Sequence, residues 1–214
     1  MAASTYDDWD WQTFWRLNEA PLLLKMIDRL TDVQTILDVG IGTGYLAKRL
    51  SDLGYDVTGI DVSENMLAIA RDRMGCGAKL VQGDAQRMPL FESGFDVVLC
   101  TRVLSHIRDI EAALQGFYRA LKPGGSLLIS DIDAEHNYAS TSLPVGSTSV
   151  VVETHKRSLD ELEKAARSAG FDLECSHKLK AENLVWLPED GNLSSIDRSG
   201  SRSVGYIALF RHAG

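Results

Sequence analysis

The sequence contains no apolar run approaching the roughly 18 residues that a membrane-spanning helix needs, so no membrane partner is expected. Cysteine is scarce: Cys76, Cys100 and Cys175 are odd in number, far apart and form no C-x-x-C pair. They read as reduced thiols of a cytoplasmic protein rather than as a disulfide framework. An excess of basic charge is also missing, since 22 Lys and Arg stand against 30 Asp and Glu, giving a formal charge of −8. Phosphates reward a basic surface, so nucleic acid is not the expected partner. The start, residues 1–11, is acidic and has no apolar core, and no secretory signal is expected there. No internal repeat and no second domain stand out. What remains is 214 residues, 44% hydrophobic, read as a single domain over 1–214 and large enough to bury a core.

The most informative stretch is 35–44, T-I-L-D-V-G-I-G-T-G. An apolar run ends in Asp38, glycines follow at alternate positions, and a helical pattern begins at Tyr45 with Leu46, Leu50 and Leu53 on one face. A buried strand thus turns sharply into a helix, and glycine lets the backbone bend and approach a ligand without a Cβ. In doubly wound folds such a corner, at the carboxyl end of a parallel sheet, binds nucleotides. A dinucleotide fingerprint needs its third glycine where Tyr45 stands, which disfavours an NAD oxidoreductase. Residues 56–60 read as a second buried strand ending in Asp61, 17 residues beyond Gly44. A carboxylate there either accepts from ribose hydroxyls or caps the next helix, a task for which Ser63 is better placed. A short strand at 79–82, a G-D-A turn at 83–85 and a strand at 95–100 follow, with Thr101 and Arg102 at the carboxyl end of the last. A helix over 109–121 stops at the proline-glycine run 122–125, before an apolar strand at 126–132.

G-x-G-x-G after an acidic residue resembles motif I of the class I S-adenosylmethionine (SAM) methyltransferases. The G-D-A turn, V-L-S-H-I at 103–107, L-K-P-G-G at 121–125 and A-G-F at 169–171 resemble further features of that family, in its order. The resemblance is densest over residues 35–133. It implies an α/β fold: a three-layer sandwich around a seven-stranded, doubly wound, mostly parallel sheet whose last strand, near 206–210, is antiparallel. It also implies SAM as cofactor and S-adenosylhomocysteine (SAH) as product. The cofactor-binding residues would be Asp38, Gly40, Gly42, Gly44, Asp61, Val62, Met66, Asp84, Ala85 and Thr101. Asp84 and Ala85 would meet adenine, although a turn aspartate also serves as a local cap. His106 has two readings, as a brace for the following helix or as a group that orients or deprotonates the acceptor.

The acceptor side is less defined. Trp9, Trp11, Trp15, Tyr6 and Phe14 crowd the first segment, and Trp11 and Trp15 share a helical face. Pro21 then opens a second helix with Leu22, Leu23, Met26, Ile27 and Leu30 inward. Residues 1–31 either pack across a sheet edge or form a helical lid whose rings attract a sulfonium within about 6 Å. Residues 134–157 are expected as an acceptor-side insertion, loose over 137–149 and extended over 150–155. Trp11, Trp15, Arg102, His136 and His155 are the candidate substrate contacts, with Asp131, Asp133 and Glu135 as further ionisable groups. Ser158 and Glu161 predict a capping box for a helix over 158–169. A polar, mobile connection is expected over 179–205. The spacing of His and carboxylates fits no standard metal site, and no metal is expected. T-R-V-L at 101–104 departs from the Asn/Asp-Pro-Pro-Tyr/Phe signature of DNA and many amide or amine methyltransferases. The expected function is methyl transfer to oxygen or nitrogen of a small molecule. A methyltransferase-fold, SAM-binding protein with a regulatory, partner-activating or non-methylating role is the alternative. Acceptor identity and oligomeric state are left open by the sequence.

Overall fold

The apolar runs at 35–39, 56–60, 95–100 and 126–132 lie in strands, and the sheet they form positions everything else. The computed structural model describes residues 5–89, 91, 94–136, 141–145, 148–186 and 202–213. Strands β1 (Thr35–Val39), β2 (Asp56–Asp61), β3 (Lys79–Gln82), β4 (Phe95–Thr101) and β5 (Leu121–Ile132) are mutually parallel. After a two-stranded hairpin, β6 (Thr141–Val145) with β7 (Thr148–Val152), come β8 (Phe171–Lys180) and β9 (Ser203–His212). The main sheet runs β3-β2-β1-β4-β5-β9-β8, and β9 is antiparallel to both neighbours. This is the expected seven-stranded, mostly parallel sheet with its last strand reversed.

Alternation along the strands sends side chains to two separate cores. Leu37 and Val39 of β1 and Val98 and Cys100 of β4 face helices α5 (Ile110–Ala120) and α6 (Leu159–Ser168). Ile36, Val97 and Leu99 face α2 (Ala20–Asp28), α3 (Tyr45–Asp52) and α4 (Glu64–Met74). Both faces are covered, which is why these strands read as continuous apolar runs. Pro21 lies in the first turn of α2, where its missing N–H has no partner to lose. Ser158 and Glu161 form the capping box of α6. Leu53, grouped with the apolar face of α3, is instead 65% exposed, because it follows the last helical turn as the C-cap.

Two expected loops are more ordered than composition implied. The stretch 137–149 contributes to the β6–β7 hairpin, with residues 137–140 and 146–147 outside the described residues. Its serine and threonine content suggested a loop, but threonine and valine suit a pleated strand. The connection expected over 179–205 is shorter, since β8 continues to Lys180 and β9 begins at Ser203. Residues 187–201, which hold Pro188, Gly191 and Gly200, lie outside the described residues.

At the opposite end of the sheet from the ligand-facing loops, Asp96 ties three strands. Its Oδ2 accepts from the Gln34 and Thr35 N–H groups (3.0 and 2.9 Å), and Oδ1 accepts from Lys122 Nζ at 2.7 Å. Burial alone would raise its pKa, but Lys122 and the Thr35 and Gln34 bonds hold it down at about 2. A depressed carboxylate pKa contributes stability above the unfolded value and loses it as pH falls through the folded one. Asp96→Asn is therefore expected to cost about 1–2 kcal/mol at pH 7 after allowance for solvent screening. Urea unfolding should show the gap narrowing between pH 4 and 2; a gap independent of pH would reject the assignment.

Candidate functional site

The site begins where β1 runs out. Gly40 has φ +74°, a left-handed conformation that side chains resist, and a Cβ there would stand 2.1 Å from Val103 Cγ2. The Gly40 and Ile41 N–H groups both donate to the Ile60 carbonyl (2.7 and 3.0 Å), so the loop is bound to the end of β2. Gly42 is also left-handed, and its N–H donates to Asp61 Oδ2 at 2.9 Å. Asp61 Oδ1 accepts from the Ser63 N–H at 2.9 Å, while Ser63 Oγ caps α4 through the Met66 N–H. Helix capping thus belongs to Ser63, and Asp61 braces the glycine loop.

A cavity of about 540 Å³ opens at the carboxyl ends of β1, β2, β4 and β5, within the size range of small-molecule sites. Its wall includes Asp38, Gly40, Gly42, Asp61, Val62, Met66 and Thr101 from the expected cofactor set. Trp11, Trp15, Arg102 and His106 line it as well. Five expected contacts are off this wall. Gly44 packs against Ala70, which a Cβ would meet at 3.1 Å. Asp84 Oδ1 accepts from the Gln86 N–H at 2.9 Å, the local-cap alternative, and Ala85 packs against the core. His136 is buried behind Trp11, ring edge to ring face at 5.7 Å. His155 donates its N–H to the Ser105 carbonyl at 2.7 Å and stands 3.7 Å from Glu153.

Different faces of the first segment meet the core and the cavity. Phe14 and Trp15 of α1 (Asp10–Asn18) pack against Leu179 and Val204 at the carboxyl end of β8 and the start of β9. Trp11 stacks on Trp15 at 5.7 Å between centroids, and Tyr6, Trp9 and Trp11 line the cavity. Asp7 fastens this segment to the glycine loop: its Oδ1 accepts from Thr43 Oγ1 at 2.9 Å, and it pairs with Arg16 and Arg73. Arg73 in turn donates to the Thr43 carbonyl at 2.9 Å.

His106 sits in a short 3-10 turn, Leu104–His106, and is exposed to the cavity. It does not cap α5, because the Asp109 side chain accepts from the Ala112 N–H at 2.9 Å. The turn is held from two sides. Asp131 Oδ2 accepts from the Ser105 N–H at 2.7 Å. Arg157 donates to the carbonyls of Leu104 (2.8 Å), Ile107 (2.9 Å) and Arg108 (3.1 Å), and to that of His155 (3.0 Å). Four residues of these contacts carried no mark in the sequence: Asp7, Arg73, Asp131 in its bracing role, and Arg157. Each acts through a partner distant in the chain, and an isolated charge on a helix or loop reads as solvated.

Electrostatics at the cavity is unusual in two places. Asp38 is 2% exposed and its Oδ1 has no hydrogen-bond partner. Burial, with the neighbouring Asp61 charge, pushes its carboxyl up to about 7. On the far wall Glu19, 1% exposed, forms an ion pair with Arg102. Arg102 itself has φ +56°, rare for a side chain of this size, and its guanidinium lies 5.6 Å from the Trp15 ring centroid. Strained backbone of this kind concentrates at functional sites. A buried acid with an open oxygen, facing a glycine loop without Cβ atoms, suits a ligand that brings a positive group close to the backbone. SAM, with its ammonium and sulfonium, has that chemistry.

Comparison with known proteins gives a consistent result. The methyltransferase domain family model matches residues 37–129. A ubiquinone biosynthesis O-methyltransferase from Hydrogenovibrio crunogenus is 31% identical over 169 residues, which cover 72% of this chain and 69% of that protein. Phosphoethanolamine N-methyltransferase 2 of Caenorhabditis elegans is 40% identical over 115 residues, but these span only 26% of its length and 50% of this chain. The complex between the Haloferax volcanii Trm112 methyltransferase activator and a methyltransferase contains a chain of the same fold. It superposes with a TM-score of 0.74 at 18% identity, covering 100% of this chain and 96% of that one.

The Asp38 carboxyl supplies a test of this electrostatic picture. A raised carboxyl pKa favours the folded state at low pH, and that contribution is lost as pH rises from about 4 to about 7. Wild type is thus expected to lose a few kcal/mol relative to Asp38→Asn across that interval. Unfolding midpoints of the two proteins, followed from pH 4 to 8, measure it. Parallel curves would mean that Asp38 is ionised throughout.

Proposed function

The chain belongs to the class I SAM-dependent methyltransferases, and on that premise we propose that it moves the methyl group of SAM to an oxygen or nitrogen of a small-molecule acceptor. The observation that carries the proposal is the single cavity wall shared by the glycine corner, Asp61 and the exposed His106. A bound SAM supplies a methyl carbon made electrophilic by its positive sulfur, and SAH is what remains. The protein's task is to hold and orient, which accounts for several kcal/mol of barrier reduction in such reactions.

Asp61 keeps lone pairs for the ribose hydroxyls beyond those used by the Gly42 and Ser63 N–H groups. Gly40 and Gly42 let the loop backbone approach the methionine part, and the buried Asp38 carboxyl, its Oδ1 unpaired, lies on the same wall. Val62, 70% exposed, and Met66 offer an apolar flank to the cofactor. The Tyr6–Trp15 segment serves as the lid, latched by Asp7, and Val152 brings the insertion to the acceptor side. His106, held by the Arg157 and Asp131 bonds to its turn, takes the proton that an acceptor hydroxyl must lose or orients an amine that attacks neutral. The names of the relatives, one an O- and one an N-methyltransferase, support both acceptor atoms. Cys76, Cys100 and Cys175 are all free thiols, which supports a cytoplasmic place of action.

Three measurements test the proposal. Incubation with methyl-labelled SAM and a panel of small hydroxyl and amine acceptors is expected to yield labelled product and SAH in equal amounts; failure across the panel, with SAH binding intact, favours the regulatory alternative. Asp61→Ala is expected to weaken SAH binding by about tenfold or more in calorimetry, since bonds to a charged acceptor are worth about 1.5–3 kcal/mol. Unchanged affinity would remove Asp61 from the ribose site. His106→Ala should lower turnover by about a hundredfold while leaving SAH affinity alone; wild-type turnover would reject it as the proton acceptor.

A further inference from the structure

Resting on that methyl-transfer reading, we infer that Arg73, which lies off the cavity wall, is a positioning residue that sets the release rate of SAH by holding a strap shut. The strap is residues 5–9, and its two ends are held by different forces. Its carboxyl end runs into α1, where Phe14 and Trp15 are buried against Leu179 and Val204. Asn18 fastens the same helix further, accepting from the Val185 and Trp186 N–H groups at 2.7 and 3.0 Å. Added salt does not weaken apolar burial of this kind. The amino end differs. The 3-10 turn Tyr6–Asp8 buries none of its residues. Trp9, between that turn and α1, is extended (φ −74°, ψ 141°), so the helix does not run on into the turn.

A closed ring of three side chains holds this amino end down. Asp7 Oδ1 accepts from Thr43 Oγ1 at 2.9 Å, Thr43 Oγ1 accepts from Arg73 Nη1 at 2.8 Å, and Arg73 Nη2 pairs with Asp7 Oδ2. Arg73 also donates to the Thr43 carbonyl at 2.9 Å, so one guanidinium grips the glycine loop and the strap together. Arg16 braces the ring from α1, donating to the Asp7 carbonyl at 3.2 Å and lying 4.4 Å from the Tyr45 ring centroid. Tyr6, Asp7 and Trp9 line the same cavity as Gly42, Asp61 and Met66. A cofactor seated on the glycine corner therefore shares its space with the strap, and the ring ties the two walls together. Spreading those walls to let the product out means breaking the ring. Burial alone would raise the Asp7 carboxyl, but the Arg73 and Thr43 bonds hold it below the usual carboxylate range. Asp7 thus stays charged at neutral pH. The Asp7 and Arg73 side chains are 23% and 28% exposed, so salt reaches the pair and screens it. An isolated pair at that exposure is worth little, whereas charge-assisted bonds joined in one network are worth more.

Release of radiolabelled SAH into an excess of unlabelled SAH measures the effect directly. Arg73→Gln is expected to speed release about tenfold, while the association rate changes by less than about threefold. Raising the salt concentration should speed release from wild type and leave R73Q nearly unchanged, because the screened pair is already gone. A purely structural loss would not remove the salt dependence. Asp7→Asn combined with R73Q is expected to release SAH no faster than either single variant, the mark of residues that act through one contact. Arg71→Gln, on the same helix and facing Glu64 at 3.9 Å, lies outside the ring and should behave as wild type. Equal release from wild type and R73Q overturns the inference, as does equal acceleration in R71Q or a salt effect that survives in R73Q. If R73Q does not fold, D7N carries the same readouts, since its turn buries no residue. Failure of the methyltransferase reading has a different signature, because SAH itself would then not bind the wild-type protein.

Discussion

The link between Asp61 and the Gly42 N–H fixes the shape of the binding end of this protein. It joins the end of β2 to a loop that leaves β1 through two left-handed residues, and it does so with a charged acceptor. With the Gly40 and Ile41 bonds to the Ile60 carbonyl, it holds the loop against the end of β2. The same carboxylate, through Ser63, sets where α4 starts. Val103 presses on Gly40 from the other side, so the turn after β4 and the turn after β1 are placed against each other. One corner therefore determines the relative positions of the residues expected to hold the cofactor and those expected to meet the acceptor.

Charge is distributed around the cavity in a consistent way. Anions on its wall are buried and incompletely satisfied, as at Asp38 Oδ1 and Glu19 Oε1. The arginines on its wall are ion-paired within the protein, Arg16 with Asp7 and Arg102 with Glu19, while Arg102 Nε has no hydrogen-bond partner. The result is a site with two buried carboxylate oxygens that the protein itself leaves unpaired. Those carboxylates favour a cationic cofactor, unlike the anion-seeking corner of a dinucleotide-binding fold. The chain's overall negative charge does not predict this, since it is a property of particular buried atoms.

The fold was legible in the sequence because its determinants are local. Glycines at 40, 42 and 44, the apolar runs before and after them, Ser63 before a helical repeat and the Ser158–Glu161 capping box each act over a few residues. The strand order and the reversed β9 came from likeness to a family and not from any periodicity. The N-terminal aromatic cluster was legible as a helix, but not its division of labour between Phe14 in the core and Trp11 on the cavity wall. Glu19, Arg73 and Arg157 were illegible for a common reason. Their partners lie 30 to 83 residues away in the chain, and nothing local distinguishes them from solvated charges. Asp84 shows the converse, a residue whose motif pointed to a ligand and whose side chain is engaged by its own turn.

The four carbonyls gathered by Arg157 have a consequence for how this fold varies. Arg157 also bridges Asp133, and the Ala134 N–H donates to the Arg157 carbonyl at 3.3 Å, so both feet of the β6–β7 hairpin are pinned to the same spot. Everything between those feet is a loop with its ends already closed. Closure entropy changes only slowly with the length of such a loop. Changes confined to the β6–β7 strands and their connection are thus expected to leave the register of β5 in place, whereas His155, bonded to the Ser105 carbonyl, belongs with the turn that carries His106. The protein thus separates a fixed reaction frame from a replaceable wall, as a tool holder does with its bit.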